Sequence, residues 1–158
     1  MSPRADFAGA VYGSLLAASV VAGTSPREDP VPASSLAILL LATGLVFWLA
    51  HAYARLAGER SPGTAVDWPA VRSVAAAERP LAEAALPPAA VAVAGRLAGL
   101  DDATTAWLAL LVALGGQVGW ALAASYQAGA PRRRMLLAGL VNLFLGLVIV
   151  ALKVLLAH

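Results

Sequence analysis

Residues 79–102 read RPLAEAALPPAAVAVAGRLAGLDD, and whether this stretch crosses a membrane decides the fold. A crossing helix needs roughly 20 mostly apolar residues. The clean core here, residues 87–100, would be about 21 Å long as an α-helix. Starting it at Leu81 lengthens it to about 30 Å, but Glu83 then enters the apolar layer. Pro87-Pro88 must kink such a helix or form its first turn. Two readings stand: a short, Pro-broken crossing over residues 81–100, or a re-entrant segment.

The chain on either side leaves no such choice. Residues 7–23, 36–56, 103–126 and 135–157 are each long and apolar enough to span a bilayer. The 158 residues are 60% hydrophobic and 13% charged, where a soluble domain carries about 25% charge. Such a chain cannot cover itself with polar groups, and the bilayer is its natural solvent. The basic residues are scattered between apolar runs rather than gathered on one face, so a nucleic-acid partner is not expected. There is no Cys, which excludes disulfides and thiolate sites. Ten of the 11 basic residues are Arg, the habit of a GC-rich bacterial gene.

Charge placement selects between the two readings, because cytoplasmic loops collect Arg and Lys. Arg132, Arg133 and Arg134 precede the last apolar stretch, while Arg55, Arg60, Arg72 and Arg79 follow the second. Both clusters lie inside only if residues 81–100 cross. Arg4 then lies inside as well, and the acidic loops Arg27-Glu28-Asp29 and Asp101-Asp102 lie outside. The expectation is an all-α integral membrane protein of the cell membrane. It is a single membrane domain, a compact bundle of five transmembrane helices, with a cytoplasmic N-terminus and an external C-terminus. The first stretch also has the form of a signal peptide and is read as an uncleaved anchor.

Residues 57–67 (AGERSPGTAVD) form the linker. Residues 69–79 then place Val71, Val74 and Ala75 on one side and Arg72 and Arg79 toward headgroups, with Trp68 at the interface and Pro69 in the first turn. They are read as a short amphipathic helix on the inner leaflet. Gly9 and Gly13, Gly95 and Gly99, and Gly115 and Gly119 repeat a spacing at which helices approach closely in lipid.

With these directions, Tyr12, His51, Glu83, Gln117 and Asn142 sit one per span, all in the inner half. Polar groups at such depth usually face the bundle or a wet cavity. Each also has a plain role. His51 fits an interfacial belt with Trp48 and Tyr53, or a proton carrier or ligand. Glu83 suits the first turn of a helix. Glu78 belongs to the surface helix, with an Arg as partner. Gln117 and Asn142 suit hydrogen bonds between helices. Arg96 and Lys153 reach toward water from the outer end. Arg132–Arg134 anchor the topology and suit anionic headgroups.

No HExxH, GxSxG, Walker loop or TVGYG filter is present, and the chain has only two His. No cofactor, metal or catalytic constellation is therefore expected. Two functions remain. A transporter or channel-like protein would gather the five polar residues in a pocket open to the cytoplasm, lined by the Pro87-Pro88 break. A scaffold or accessory subunit would send each to a separate neighbour and bind another protein, or a second copy, through its Gly faces. Five polar residues sharing one leaflet favour the first.

Overall fold

The computed structural model describes residues 7–24, 30–58 and 67–156, and in it the deciding stretch is two short helices rather than one long one. The described residues are all-helical: α1 (Phe7–Thr24), α2 (Ala33–Gly58), α3 (Trp68–Ala77), α4 (Arg79–Glu83), α5 (Leu86–Leu97), α6 (Asp102–Gln127) and α7 (Arg132–Leu156). Arg4, the 27–29 loop, most of the linker and His158 lie outside the described residues, as does the Lys153 side chain.

Among the described residues four helices are long and apolar enough to cross a membrane: α1, α2, α6, and α7 over Arg132–Leu152. Such a set marks a membrane-embedded protein. The prolines explain why residues 81–100 are not a further long helix. Pro80 and Pro87-Pro88 each fall in a helical first turn, where a missing N–H leaves no bond unmade. Each therefore begins a helix cleanly and ends the one before it. The result is α4, a turn at Ala84-Ala85, and α5, about 18 Å long.

Local chemistry sets the other boundaries. Asp67 and Asp101 cap α3 and α6, their carboxylates accepting from the amides of Ala70 (3.2 Å) and Thr104 (2.8 Å). Gly99 and Gly129, with φ of +72° and +66°, close α5 and α6. The amides of Leu100 and Ala130 then reach back to the carbonyls of Gly95 and Ser125, at 3.0 Å each.

Four contacts fix the direction of the chain through the bundle. Tyr12 of α1 stacks on His51 of α2, and Phe7 of α1 on Trp120 of α6, so α1 is antiparallel to both. The Asp102 carboxylate accepts from the amide of Ala33 at 2.8 Å, so α2 and α6 start at the same end. Arg55, near the finish of α2, holds Glu78 at 2.7 Å. The chain from Glu78 to Asp102 therefore passes from one end of α2 to the other.

The core is built of small residues. Ala18, Val21, Leu36, Leu40, Ala92 and Leu110 are fully or almost fully buried, at the junction of α1, α2, α5 and α6. Alanine and glycine let backbones approach where lipid supplies no hydrophobic drive between helices. At Gly13 the approach is closest: a Cβ there would collide with the Leu81 carbonyl oxygen of α4. Gly44 faces Ala85 in the same way, and Gly95 faces Thr105. The α4–α5 turn thus nests between α1 and α2. By contrast α7 lies at the edge, packed on α6 and α1, with Leu136, Leu140, Phe144, Leu147 and Leu155 exposed.

Candidate functional site

The polar groups of the bundle form three clusters. The first lies where α1, α6 and α7 meet. Gln117 lies on the buried stripe of α6 with Ala109, Leu110, Ala113 and Ala121, and is fully buried. Asn142 of α7 comes opposite. Its Nδ2 donates to the carbonyl of Ala138 one turn back (2.9 Å), which turns its Oδ1 toward Gln117. Gln117 Nε2 donates to that Oδ1 at 3.3 Å and to the Asn142 carbonyl at 3.4 Å. Gln117 Oε1 has no partner.

Above this amide pair is a groove of about 360 Å³. Phe7, Val11, Tyr12 and Leu15 of α1 form one wall, and Gln117 and Asn142 are among the residues on the other side. Among the described residues no charged side chain lines it. It is open rather than enclosed.

Tyr12 connects this groove to the second cluster. It lines the groove and stacks on His51, with ring centroids 5.4 Å apart. His51 is half-buried, and its Nδ1 lies 3.1 Å from the carbonyl of Phe47, on its own helix.

The third cluster ties α2 to α3 and α4. The Trp48 indole N–H donates to the carbonyl of Ala75 at 2.8 Å. Arg55 donates to Glu78, which sits in the turn between α3 and α4 with its side chain 7% exposed. Val74 is buried, Val71 and Ala75 are half-buried, and Arg72 and Trp68 are exposed, which gives α3 one packed and one open face.

Of the five polar residues expected to meet, Tyr12, Gln117 and Asn142 line one groove and His51 touches it through Tyr12. Glu83 does not line that groove. It is half-exposed and pairs with Arg79 at 2.7 Å, one turn back on α4. The buried acid of this region is Glu78, the residue directly after the end of α3. Its Arg partner was legible; its burial was not, because it depends on how α3 folds back onto α2. The Phe7–Trp120 stack at the groove, with centroids 6.0 Å apart, has no signal in the sequence.

The glycines divide too. Gly13 and Gly95 are filled by neighbours, Gly9 is half-buried, and Gly99 serves the turn after α5. Gly115 and Gly119 have no atom within 4 Å and lie exposed on α6, in line with Leu108 and Leu111. Arg132, Arg133 and Arg134 are exposed at the start of α7. Among the described residues no group of three His, Asp or Glu could hold a metal ion. Comparison with protein-family models, with curated proteins and with solved structures finds no match.

Proposed function

We propose that this chain is a non-catalytic scaffold or accessory subunit of the cell membrane, which docks a partner membrane protein on the Gly115–Gly119 face of α6. The observation that carries the reading is the contrast among glycines. Gly13, Gly44 and Gly95 are each occupied by a neighbouring helix, whereas Gly115 and Gly119 leave an open notch flanked by Leu108 and Leu111. Such a notch admits another helix at close range. The polar groups support the same reading, since most pair off between adjacent helices. A transport route would need Glu83 with the others, and Glu83 instead holds Arg79.

In this proposal residues 81–100 are a further crossing, which makes five. The N-terminus is cytoplasmic and α3 lies on the inner leaflet. The gathering of Arg55, Arg72, Arg79 and Arg132–Arg134 toward one end, with Asp101 and Asp102 at the other, supports that orientation.

The test is native electrophoresis of gently solubilised membranes, comparing the wild type with Gly119→Ile. The wild-type chain is expected in a species larger than the monomer, and the variant as a folded monomer. A monomeric wild type, or a complex indifferent to Gly119→Ile and Gly115→Ile, overturns the reading.

A further inference from the structure

The groove between α1, α6 and α7 holds one group that the fold leaves unfinished. Gln117 is fully buried, yet its Oε1 has no partner. The amide cannot be reversed to cure this. Asn142 is held by Ala138 so that its Oδ1 faces Gln117, and the Asn142 carbonyl lies there as well. Two acceptors require the Nε2 of Gln117, and so Oε1 points elsewhere. A buried amide oxygen without a donor is costly and rare. The site therefore asks for a hydrogen-bond donor.

The walls say what carries that donor. Phe7, Val11 and Leu15 line about 12 Å of α1 with hydrocarbon and aromatic surface. No described side chain in the groove bears a charge, so these residues offer a charged ligand no compensation at this depth. The groove is open and lies among three helices that are each long and apolar enough to cross a membrane, and the exposed faces of α7 carry Val141, Phe144 and Leu145. A ligand enters from the bilayer, not from water.

We propose that this groove binds a neutral, hydroxyl-bearing lipid. Its apolar body lies along α1, and its hydroxyl donates to Gln117 Oε1. The proposal is independent of the docking face on α6, where Gly115 and Gly119 belong to the exposed surface.

Trp120 is the reporter, because it stacks on Phe7 at the groove wall. The chain has four Trp, and labelling with 5-fluorotryptophan gives each a separate 19F resonance, assigned through Trp120→Phe. The full chain in nanodiscs is titrated with 1-dodecanol and, separately, with its methyl ether, which has the same body and no donor. With dodecanol the Trp120 resonance is expected to move saturably while Trp68 stays. The ether, or the variant Gln117→Leu, is expected to raise half-saturation about tenfold, the loss of one hydrogen bond in a desolvated site. Val11→Phe, which fills the groove from its wall, is expected to abolish the shift. Movement that is linear in concentration and shared by all four resonances would mean partition into the bilayer only, and overturns the proposal. So does equal half-saturation for alcohol and ether. If Gln117→Leu does not fold, the ether comparison and Val11→Phe decide the matter alone.

Discussion

Asp102 and Ala33 are 69 positions apart, yet the Asp102 carboxylate accepts the Ala33 amide at 2.8 Å. The amide belongs to the first turn of α2, where backbone donors lack an intrahelical partner, and the carboxylate lies in the first turn of α6, which favours negative charge. One side chain thus finishes two helix starts and locks them at one level. Asp102→Ala is expected to destabilise the bundle by about 1–2 kcal/mol, the range of a hydrogen bond to a charged group. Asp102→Asn is expected to lose less. Unfolding by SDS titration, followed by helical circular dichroism, measures both; a loss from Asp102→Ala no larger than from Thr104→Ala would show the bond to be idle.

The same bond has a topological consequence. With α2 and α6 starting together, and Glu78 held near the finish of α2, the chain must return between them. In the five-crossing orientation Asp101 faces the outside and Arg133 the cytoplasm. The chain has no Cys, so Asp101→Cys and Arg133→Cys each give a unique label. In intact cells an impermeant maleimide is expected to react at position 101 and not at 133. Labelling of both, or of 133 alone, would refute the orientation.

What the sequence discloses here follows from periodicity and length, and what it conceals follows from contact. The four long helices are apolar over whole spans, and no tertiary detail alters that. The amphipathic helix is legible because Val71, Val74 and Ala75 share a face. The division of residues 81–100 into α4 and α5 was half-legible: Pro87-Pro88 announced a break, and the structure resolves it as a helix start. The site was harder. Gln117 and Asn142 could be assigned to helix joining by residue type, but their meeting depends on the rotation of α6 and α7. Glu83 and Glu78 differ by five positions and look alike in sequence; only the fold-back of α3 buries one and exposes the other. Gly99 shows a further limit, since a spacing of four residues does not distinguish a packing glycine from one that closes a turn at φ +72°.

The glycine contrast predicts opposite outcomes from the same chemical change. Gly13→Ala would drive a methyl group into the Leu81 backbone, which cannot yield without moving α4. A loss of about 1–3 kcal/mol is expected, the usual range for overpacking. Gly119→Ala meets nothing within 4 Å and replaces a poor helix former with the best, so the isolated chain should gain about 0.5–1 kcal/mol. Paired SDS unfolding curves suffice, and the two shifts must differ in sign.

Asp101 gives the pH dependence. Its hydrogen bonds to Thr104 hold the carboxyl below the ordinary range of an aspartate. A group with a lowered folded pKa binds its proton more readily when unfolded. Its contribution is therefore complete above about pH 4–5, the range of ordinary carboxylates, and is lost as pH falls through the lower folded value. Amide exchange at Thr104 and Thr105 is expected to accelerate on acidification below that range. Asp101→Asn, which keeps a capping oxygen and cannot titrate, is expected to remove this extra pH dependence. An identical acid response in the variant would place the sensitivity elsewhere.

The Gln117–Asn142 pair predicts an order among three variants. Asn142→Leu deletes the acceptor Oδ1 and leaves Gln117, fully buried, with its Nε2 reduced to the 3.4 Å contact with the carbonyl of residue 142. An unsatisfied buried donor is the expensive case, about 1–3 kcal/mol. Gln117→Leu removes both the donor and the orphaned Oε1, while Asn142 keeps its bond to Ala138. Its loss should be smaller, about 0.6 kcal/mol, near the average for such bonds in a membrane bundle. The double variant replaces the pair with hydrocarbon of similar bulk and should be more stable than Asn142→Leu alone. Unfolding free energies for the four proteins form a double-mutant cycle. The expected coupling is favourable, with Asn142→Leu the least stable member; if Gln117→Leu proved the worse single change, the orphaned oxygen would already have a donor, and the lipid groove would lose its rationale.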